Sequence, residues 1–247
     1  MSRMNKQLSA VEEQLSLLGM KQMSESLDEI YHSADFIEKD CLTIISRIVS
    51  DEFQIRADRR LNNHLKEAHL TGAPQEIDKC VDSDEREYLP KDITSTLSSL
   101  EFINDGLNVC ILGPSDSGKS YLARALGIEA CADHKVGYEH CAPFLEEMTA
   151  LKKSDFAKYQ KKMRRCLRKE LFIIDDFLLH MISDEDELKI LYELLEERSV
   201  LSRSTVVCSQ REPTSWKAMM LNDEVAADAI VKRATKHYTV VINPKSE

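Results

Sequence analysis

Residues 113–120 read GPSDSGKS, and this stretch constrains the fold more than any other part of the 247-residue chain. It contains two of the chain's seven glycines. Glycine lets a backbone turn tightly, adopt positive φ and approach a ligand without a Cβ in the way. The apolar run LNVCIL precedes the stretch and a helical pattern follows it. The sequence therefore predicts a glycine loop that joins a strand to a helix.

This loop fits the phosphate-binding pattern G-x-x-x-x-G-K-[ST], which requires a strand before it and a helix after it. Backbone N–H groups and the positive end of the helix hold phosphate oxygens in such loops. We expect Lys119 to reach the β- and γ-phosphates of a nucleoside triphosphate and Ser120 to bind Mg²⁺. The alternative is an ordinary strand–turn–helix that matches the pattern by chance. The predicted nucleotide contacts are Gly113, Pro114, Ser115, Asp116, Ser117, Gly118, Lys119, Ser120 and Tyr121.

A second signature, LFIIDD, places Asp175 and Asp176 directly after an apolar run. Carboxylates in this position lie at the carboxyl edge of a parallel sheet, where open α/β sheets bind their ligands. Aspartate also favours turns, so a turn that merely ends a strand is the alternative. Because a phosphate loop lies upstream, the pattern favours Asp175 as an acid that approaches Mg²⁺.

Short β-branched apolar runs alternate with helical stretches from residue 89 onward. This alternation is typical of an α/β domain in which helices cover both faces of a mostly parallel sheet. The sequence thus predicts a P-loop NTPase core with five strands. These are LNVCIL (107–112), VGYEHC (136–141), LFIID (171–175), STVVCS (204–209) and YTVVI (238–242).

Apolar residues at helical spacing occupy the N-terminal part of the chain. Gly19 is the only glycine between residues 5 and 70. We expect a small all-α domain over residues 1–70 that serves partner binding, DNA binding or assembly. Residues 71–88 combine turn residues and charges without apolar periodicity, so they are predicted to be a linker. The ATPase domain is then expected over residues 89–247.

Composition excludes several classes of protein. No apolar run approaches the length of a membrane span, and the N-terminus lacks the apolar core of a secretory signal. The seven cysteines include no Cys-x-x-Cys pair, so we expect free thiols and a cytoplasmic protein. A formal net charge of −10 argues against a generally basic nucleic-acid binder.

One basic segment stands out against this acidic background. Residues 152–169 contain nine Lys or Arg and a single Asp. A charge run is usually a solvated helix surface, but so many cations repel one another unless an anion compensates them, and DNA phosphates would do so. Three arginines of the N-terminal part, Arg56, Arg59 and Arg60, are a weaker candidate. The predicted DNA-binding residues are Lys152, Lys153, Lys158, Lys161, Lys162, Arg164, Arg165, Arg168 and Lys169.

The motifs together resemble a known family. GPSDSGKSYLARALGIEAC, LFIIDDF, STVVCSQREPTSW and the arginine of AIVKRATKHYTVV look like IstB-type transposition helper ATPases, and so do the leader segments LSLLGMKQMSESLDEI and RADRRLNNHLKEAHL. These helpers are AAA+ proteins related to DnaC helicase loaders. The resemblance implies an ATP- and Mg²⁺-dependent ATPase that assembles into oligomers on double-stranded DNA and assists a transposase in insertion-sequence transposition.

The resemblance also assigns roles to individual residues. Asp175 matches the Mg²⁺-linked acid, and Asp176 matches the acid that orients the attacking water, where the family commonly has Glu; DnaA initiators use Asp-Asp. Gln210 occupies a polar sensor position that usually holds Asn. Arg233 matches an arginine that reaches the γ-phosphate on a neighbouring subunit, although an exposed helix arginine is the alternative. Because few residues follow 242, we expect little or no helical lid.

Other functions remain open at this point. A DnaC-like loader would use the helical leader to bind a replicative helicase. The departures at Asp176 and Gln210 make an ATP-gated DNA scaffold with weak hydrolysis a further alternative. A small-molecule kinase also uses a phosphate loop, but no acceptor-binding pattern is present.

Overall fold

The computed structural model describes residues 3–72, 75–221 and 223–245. The chain divides between Asn63 and His64 into two compact units. The first unit is helical, as predicted. It contains α1 (Arg3–Leu17), α2 (Lys21–Tyr31) and the first part of α3 (Cys41–Glu67).

Local chemistry explains where α1 ends. Gly19 adopts φ 72°, and its N–H donates to the carbonyl oxygen of Ser16 at 3.0 Å. A glycine in the left-handed region is the usual way to end a helix. Nearby, the carboxylate of Glu52 on α3 accepts from the backbone N–H of Met23 and pairs with Arg56 at 2.6 Å. Arg56, a weaker DNA-binding candidate, therefore has a structural partner inside this unit.

The second unit is built on a six-stranded sheet with the order β1-β6-β2-β5-β4-β3. Five strands lie where the sequence predicts them and pair in parallel. The sixth, β1, pairs antiparallel with β6 at the edge. The strands are β1 (Arg86–Leu89), β2 (Val109–Leu112), β3 (Val136–His140), β4 (Leu171–Asp175), β5 (Ser204–Ser209) and β6 (Tyr238–Pro244).

The prediction of five strands is therefore corrected to six. Strand β1 lies at the end of residues 71–88, which the sequence predicts to be a linker, and a short 3₁₀ helix, Ile77–Lys79, lies within the same stretch. The apolar content of β1 is low, with Tyr88 as its buried residue. An edge strand with one buried position carries no alternating apolar pattern, so periodicity does not detect it.

Helices cover the sheet on both faces, and the strands at its centre are buried along their whole length. Phe144, Phe172 and Trp216 are among the large side chains of the core. Among the helices of the described residues, none is long and apolar enough to cross a bilayer. The helices of this unit are α4 (Ile93–Ser98), α5 (Glu101–Asn104), α6 (Lys119–Ala130), α7 (Cys141–Ser154), α8 (Phe156–Leu167), α9 (Glu185–Val200), α10 (Pro213–Trp216) and α11 (Glu224–Ala234).

All seven cysteines are free thiols, as predicted, and six of them are buried. Burial raises the pKa of Cys110 to about 12 and that of Cys141 to about 11. These side chains therefore behave as small apolar groups of the core.

A buried arginine ties α8 to the sheet. Arg198 on α9 is fully buried, and its guanidinium donates to the carbonyl oxygens of Cys166 and Lys169 at 2.7 and 2.9 Å. It also donates to the hydroxyl of Thr205 on β5 at 3.0 Å. Burial lowers the pKa of Arg198 to about 9, which leaves it protonated at neutral pH. Backbone carbonyls, rather than a carboxylate, thus satisfy this charge at the C-terminal end of α8.

We predict that Arg198→Met lowers the free energy of unfolding by about 3–5 kcal/mol, because it leaves several buried carbonyl groups without donors. Arg203→Met is the control, since Arg203 is partly exposed and pairs with Glu170 at 3.5 Å. Its loss should cost less than about 1 kcal/mol. Urea unfolding of both variants measures the difference, and equal costs would contradict this role for Arg198.

A candidate nucleotide-binding site at the carboxyl edge of the sheet

Strand register gathers the predicted nucleotide-binding residues, both aspartates and Gln210 at the carboxyl ends of the parallel strands. Leu112, the last residue of β2, lies beside Ser209, the last residue of β5. His140, at the end of β3, lies beside Asp175, at the end of β4. Because these strands run parallel, the residues that follow them emerge at the same edge. The phosphate loop, both aspartates and Gln210 therefore share this edge.

The loop after β2 has the backbone that its glycines were predicted to allow. Asp116 and Gly118 adopt φ 60° and 103°. A Cβ on Gly113 would stand 2.5 Å from the carbonyl oxygen of Ile242 on β6, so a side chain does not fit there. Left-handed residues in a turn direct backbone N–H groups into a common anion-binding concavity. Lys119 begins α6, whose amino end faces this loop.

Two polar groups of the loop indicate what it binds. Lys119 is only 6% exposed, and its ammonium group turns back to donate to the carbonyl oxygen of Pro114. Burial lowers the pKa of Lys119, and nearby acids including Asp175 and Asp176 oppose this shift. Within the described residues, the buried hydroxyl of Ser117 has no hydrogen-bond partner. A buried cation and an unpaired hydroxyl suit a phosphate chain.

Asp175 is a buried carboxylate that is held on both oxygens. Its Oδ2 accepts a hydrogen bond from the phenol of Tyr138 on β3, and its Oδ1 accepts from the backbone N–H of Asp176 at 2.9 Å. Burial raises the pKa of Tyr138, and the contact with Asp175 adds to this effect. The phenol therefore remains a donor and fixes the orientation of the carboxylate.

Asp176 lies at the entrance to the site. It is 40% exposed in its side chain and adopts φ 53°. Its Oδ2 lies 3.0 Å from Nδ1 of His140. Gln210 follows β5 at the same edge and is exposed. The hydroxyl of Ser209, just before it, donates to the carbonyl oxygen of Phe177 at 2.8 Å, which ties the ends of β4 and β5 together.

Sequence reasoning missed Tyr138 and His140. Both lie on the predicted strand VGYEHC, and their register beside β4 places them next to the aspartates. The signal was present, since polar residues at the end of a parallel strand point to the ligand-binding edge. Strand order was needed to use it, because it shows that β3 is the neighbour of β4.

Arg233 lies at the amino ends of the parallel strands, whereas the phosphate loop lies at their carboxyl ends. Its carbonyl oxygen accepts from Nδ2 of Asn108, which precedes β2, at 2.8 Å. About 16 Å of extended chain separates Asn108 from Gly113. The guanidinium pairs with Glu196 on α9 and lies 5.7 Å from the ring of Tyr192. The sequence left open that Arg233 is an exposed helix arginine. In the structure it is partly buried, with 22% of its side chain exposed.

The basic segment is split between two helices, because Asp155 ends α7 and caps α8 by accepting from the N–H of Lys158 at 3.0 Å. Five of its nine cations pair with carboxylates, four of which lie outside the segment. The pairs are Lys152 with Asp186, Lys153 with Asp184, Lys158 with Asp155, Lys162 with Glu147 and Lys169 with Glu67. Tertiary structure therefore supplies acids that the local sequence does not show.

Four cations of the segment remain without a carboxylate partner in the part of the chain that the structure describes. They are Lys161, Arg164, Arg165 and Arg168 on and just after α8; Nε of Arg164 donates to its own helix at the carbonyl oxygen of Gln160. A surface groove of about 530 Å³ is lined by these four together with Lys135, Lys169 and one acid, Glu67. We call Lys135, Lys161, Arg164, Arg165 and Arg168 the basic groove.

The fold and this edge define a P-loop, AAA+-type ATP-binding protein. The sequence model of the family described as "IstB-like ATP binding protein" matches residues 13–246. The chain therefore belongs to the IstB-like ATP-binding family of insertion sequences, as the motifs indicated.

Curated relatives match this chain over most of their own length and most of its length. The chain is 28% identical over 221 residues to the putative insertion sequence ATP-binding protein y4pL of Sinorhizobium fredii, covering 90% of this chain and 88% of the relative. It is 31% identical to y4uH of the same organism, covering 89% and 86%. The Bacillus thuringiensis IS232 putative ATP-binding protein is 25% identical, covering 92% and 88%.

Solved structures share the fold over about two thirds of the chain. The replication initiator DnaA bound to AMPPCP and single-stranded DNA matches with a TM-score of 0.54 and 18% identity, over 68% of this chain and 49% of that chain. DnaI matches with a TM-score of 0.52 and 17% identity, over 66% and 89%. The chain therefore spans about half of the DnaA structure, and these likenesses concern architecture alone.

We predict that Lys119→Ala abolishes tight Mg-ATP binding, because it removes the buried cation beside the phosphate concavity. Nucleotide titration on the folded variant measures this. Lys91→Ala is the control, since it removes an exposed lysine outside the loop. Unchanged ATP affinity in the Lys119 variant would mean that the loop does not hold phosphates.

Proposed function

We propose that this chain is an ATP-hydrolysing, DNA-binding helper of a transposase and that its active site is completed between two copies. The observation that carries the proposal is the separation of Arg233 from the phosphate loop at opposite edges of the sheet. Its relatives' names, which describe ATP-binding proteins of insertion sequences, support the biological setting.

Within one copy, the carboxyl edge would supply the groups that bind ATP and position the attacking water. The backbone of the loop and Lys119 would bind the phosphate chain of the substrate. Ser120 and Asp175 would hold Mg²⁺, which neutralises phosphate charge when it is bound. The fit rests on the unpaired Ser117 hydroxyl and on the carboxylate of Asp175, which Tyr138 orients.

Asp176 would accept a proton from the attacking water or orient it. It is the exposed acid of the pair, whereas Asp175 is buried. Its contact with His140 holds the carboxylate toward β3. Gln210 at the same edge has an amide that can contact the γ-phosphate. The short Asp176 side chain therefore favours slow turnover unless assembly adjusts it.

Arg233 would act on a neighbouring copy. It cannot serve the loop of its own chain while its side chain packs against Glu196 and Tyr192 on α9. A guanidinium delivered by a second copy stabilises charge that develops on the transferred phosphoryl group. Self-association would thus switch hydrolysis on.

The basic groove is the part of the second unit that best fits a DNA backbone. None of its five cations has a carboxylate partner among the described residues. Glu67, which also lines the groove, lies 3.8 Å from neighbouring Lys169. Phosphate contacts release counterions and give affinity without sequence selectivity. The transposase partner rests on the relatives' names alone, and we assign its binding to the helical first unit.

We predict that replacing Lys161, Arg164, Arg165 and Arg168 with Gln weakens binding to unrelated duplex sequences. The log–log salt slope should flatten by up to about 3.6, which is about 0.9 for each of four lost phosphate contacts. DNA titrations at several salt concentrations measure both quantities.

A matched variant carries Gln at Lys152, Lys153, Lys158 and Lys162. It removes the same charge from the same segment, but from lysines that pair with carboxylates. We expect its salt slope to stay close to that of the wild type. Equal flattening in both variants would show that net charge, and not the basic groove, determines binding.

We also predict that Arg233→Ala binds ATP but loses much of its DNA-stimulated hydrolysis, by up to about 10³-fold. Adding Lys119→Ala subunits, which lack ATP but offer Arg233, should restore activity to the mixture. Recovery must rise with protein concentration, because the active site forms on association.

The control for this experiment is Lys232→Ala, which removes the adjacent exposed cation of α11 and should hydrolyse ATP at the wild-type rate. The shared-site mechanism is wrong if Arg233→Ala is fully active with DNA, or if demonstrated co-assembly never restores activity. Negligible wild-type turnover would instead support an ATP-gated scaffold.

A further inference from the structure

Strand β1 brings an arginine to the phosphate loop from outside the motif. Nη1 of Arg86 lies 2.8 Å, and its Cζ 3.8 Å, from the position that a Cβ on Gly118 would occupy. Gly118 directly precedes Lys119 in the loop. Because Gly118 has no side chain, the guanidinium can lie directly against the backbone that forms the phosphate concavity.

The partners of Arg86 leave its charge available. Its nearest carboxylate in the described residues is Glu85 at 3.7 Å, and the side chain of Glu85 is 83% exposed. Arg86 itself is 33% exposed. The hydroxyl of Tyr88 lies on the same side of Gly118, 4.0 Å from the Cβ position. A weak, solvated ion pair of this kind costs little to break.

The segment that carries Arg86 is fixed to the nucleotide site at a second point. The backbone N–H of Glu76 donates to the hydroxyl of Tyr121, on the first turn of α6, at 3.2 Å. Arg124, one turn further along α6, approaches Gln75 at 3.4 Å. These two contacts attach the stretch before β1 to the start of α6. The strand that carries Arg86 is therefore held beside the phosphate loop.

We propose that Arg86 is a second side-chain cation of the nucleotide site and contacts the phosphate chain of ATP. This inference rests on the proposed binding of ATP at the loop. Lys119 approaches the phosphates from within the motif, whereas Arg86 approaches from the outer side, beside Gly118. A guanidinium offers two parallel donors to phosphate oxygens, a geometry that an ammonium group cannot reproduce.

The test measures Mg-ATP affinity of the full chain by titration at several salt concentrations. Arg86→Gln should bind ATP about tenfold more weakly and with a smaller salt dependence, since a charged contact is lost. Arg86→Lys, which keeps the charge without the fork, should bind about threefold more weakly than wild type. Lys91→Gln is the matched control, because it removes an exposed cation five positions along the same segment, and it should leave both quantities unchanged.

Wild-type affinity in Arg86→Gln overturns the inference, and so does weaker binding with an unchanged salt dependence. If Arg86→Gln does not fold, Arg86→Lys decides, and wild-type affinity in that variant is the contrary result. Failure of the wild type to bind ATP at all would instead overturn the proposed function. The Lys119→Ala titration separates these cases, because it tests the loop without touching Arg86.

Discussion

The parallel ladder of β2, β5, β4 and β3 is the constraint on which the site depends. In-register pairing brings the ends of four strands to one edge, where Leu112 lies beside Ser209 and His140 beside Asp175. Each strand then contributes one element: the phosphate loop, Gln210, the two aspartates, and the Tyr138–His140 pair. No local sequence segment contains the site, so its geometry is a property of the sheet. A shift of β4 by one residue would turn Asp175 to the other face.

The same sheet separates two parts of the proposed mechanism. The residues that we propose to bind the substrate lie at the carboxyl ends of the parallel strands. Asn108, in contrast, holds the backbone of Arg233 at the amino end of β2. One copy therefore has a candidate phosphate site after β2 and an arginine whose backbone is held at the other end of β2. In the mechanism that we propose, association would bring Arg233 of one copy to the phosphate loop of another, and it would also place several basic grooves on one DNA molecule. The proposed requirement for a second copy would then link hydrolysis to DNA binding.

Much of the fold and of the candidate site could be predicted from the sequence, for reasons that differ from one feature to the next. The phosphate loop and LFIIDD are short motifs whose residues follow one another in the sequence. Their strands and the family were therefore predicted correctly. Strand β1 and Arg86 were missed because an edge strand within a polar segment has no periodicity. The basic segment was only partly understood, since the acids that pair with Lys152, Lys153 and Lys162 are distant in sequence. Contacts between distant segments limit prediction from one sequence.

The most direct test of the central claim is the affinity for duplex DNA measured in three nucleotide states at one salt concentration. Fluorescence anisotropy of a labelled duplex would be recorded with a non-hydrolysable ATP analogue, with ADP and without nucleotide. If ATP completes an assembly that presents its basic grooves to DNA, the analogue should tighten binding and make it steeply dependent on protein concentration. Identical binding curves in all three states would contradict the coupling of ATP to DNA.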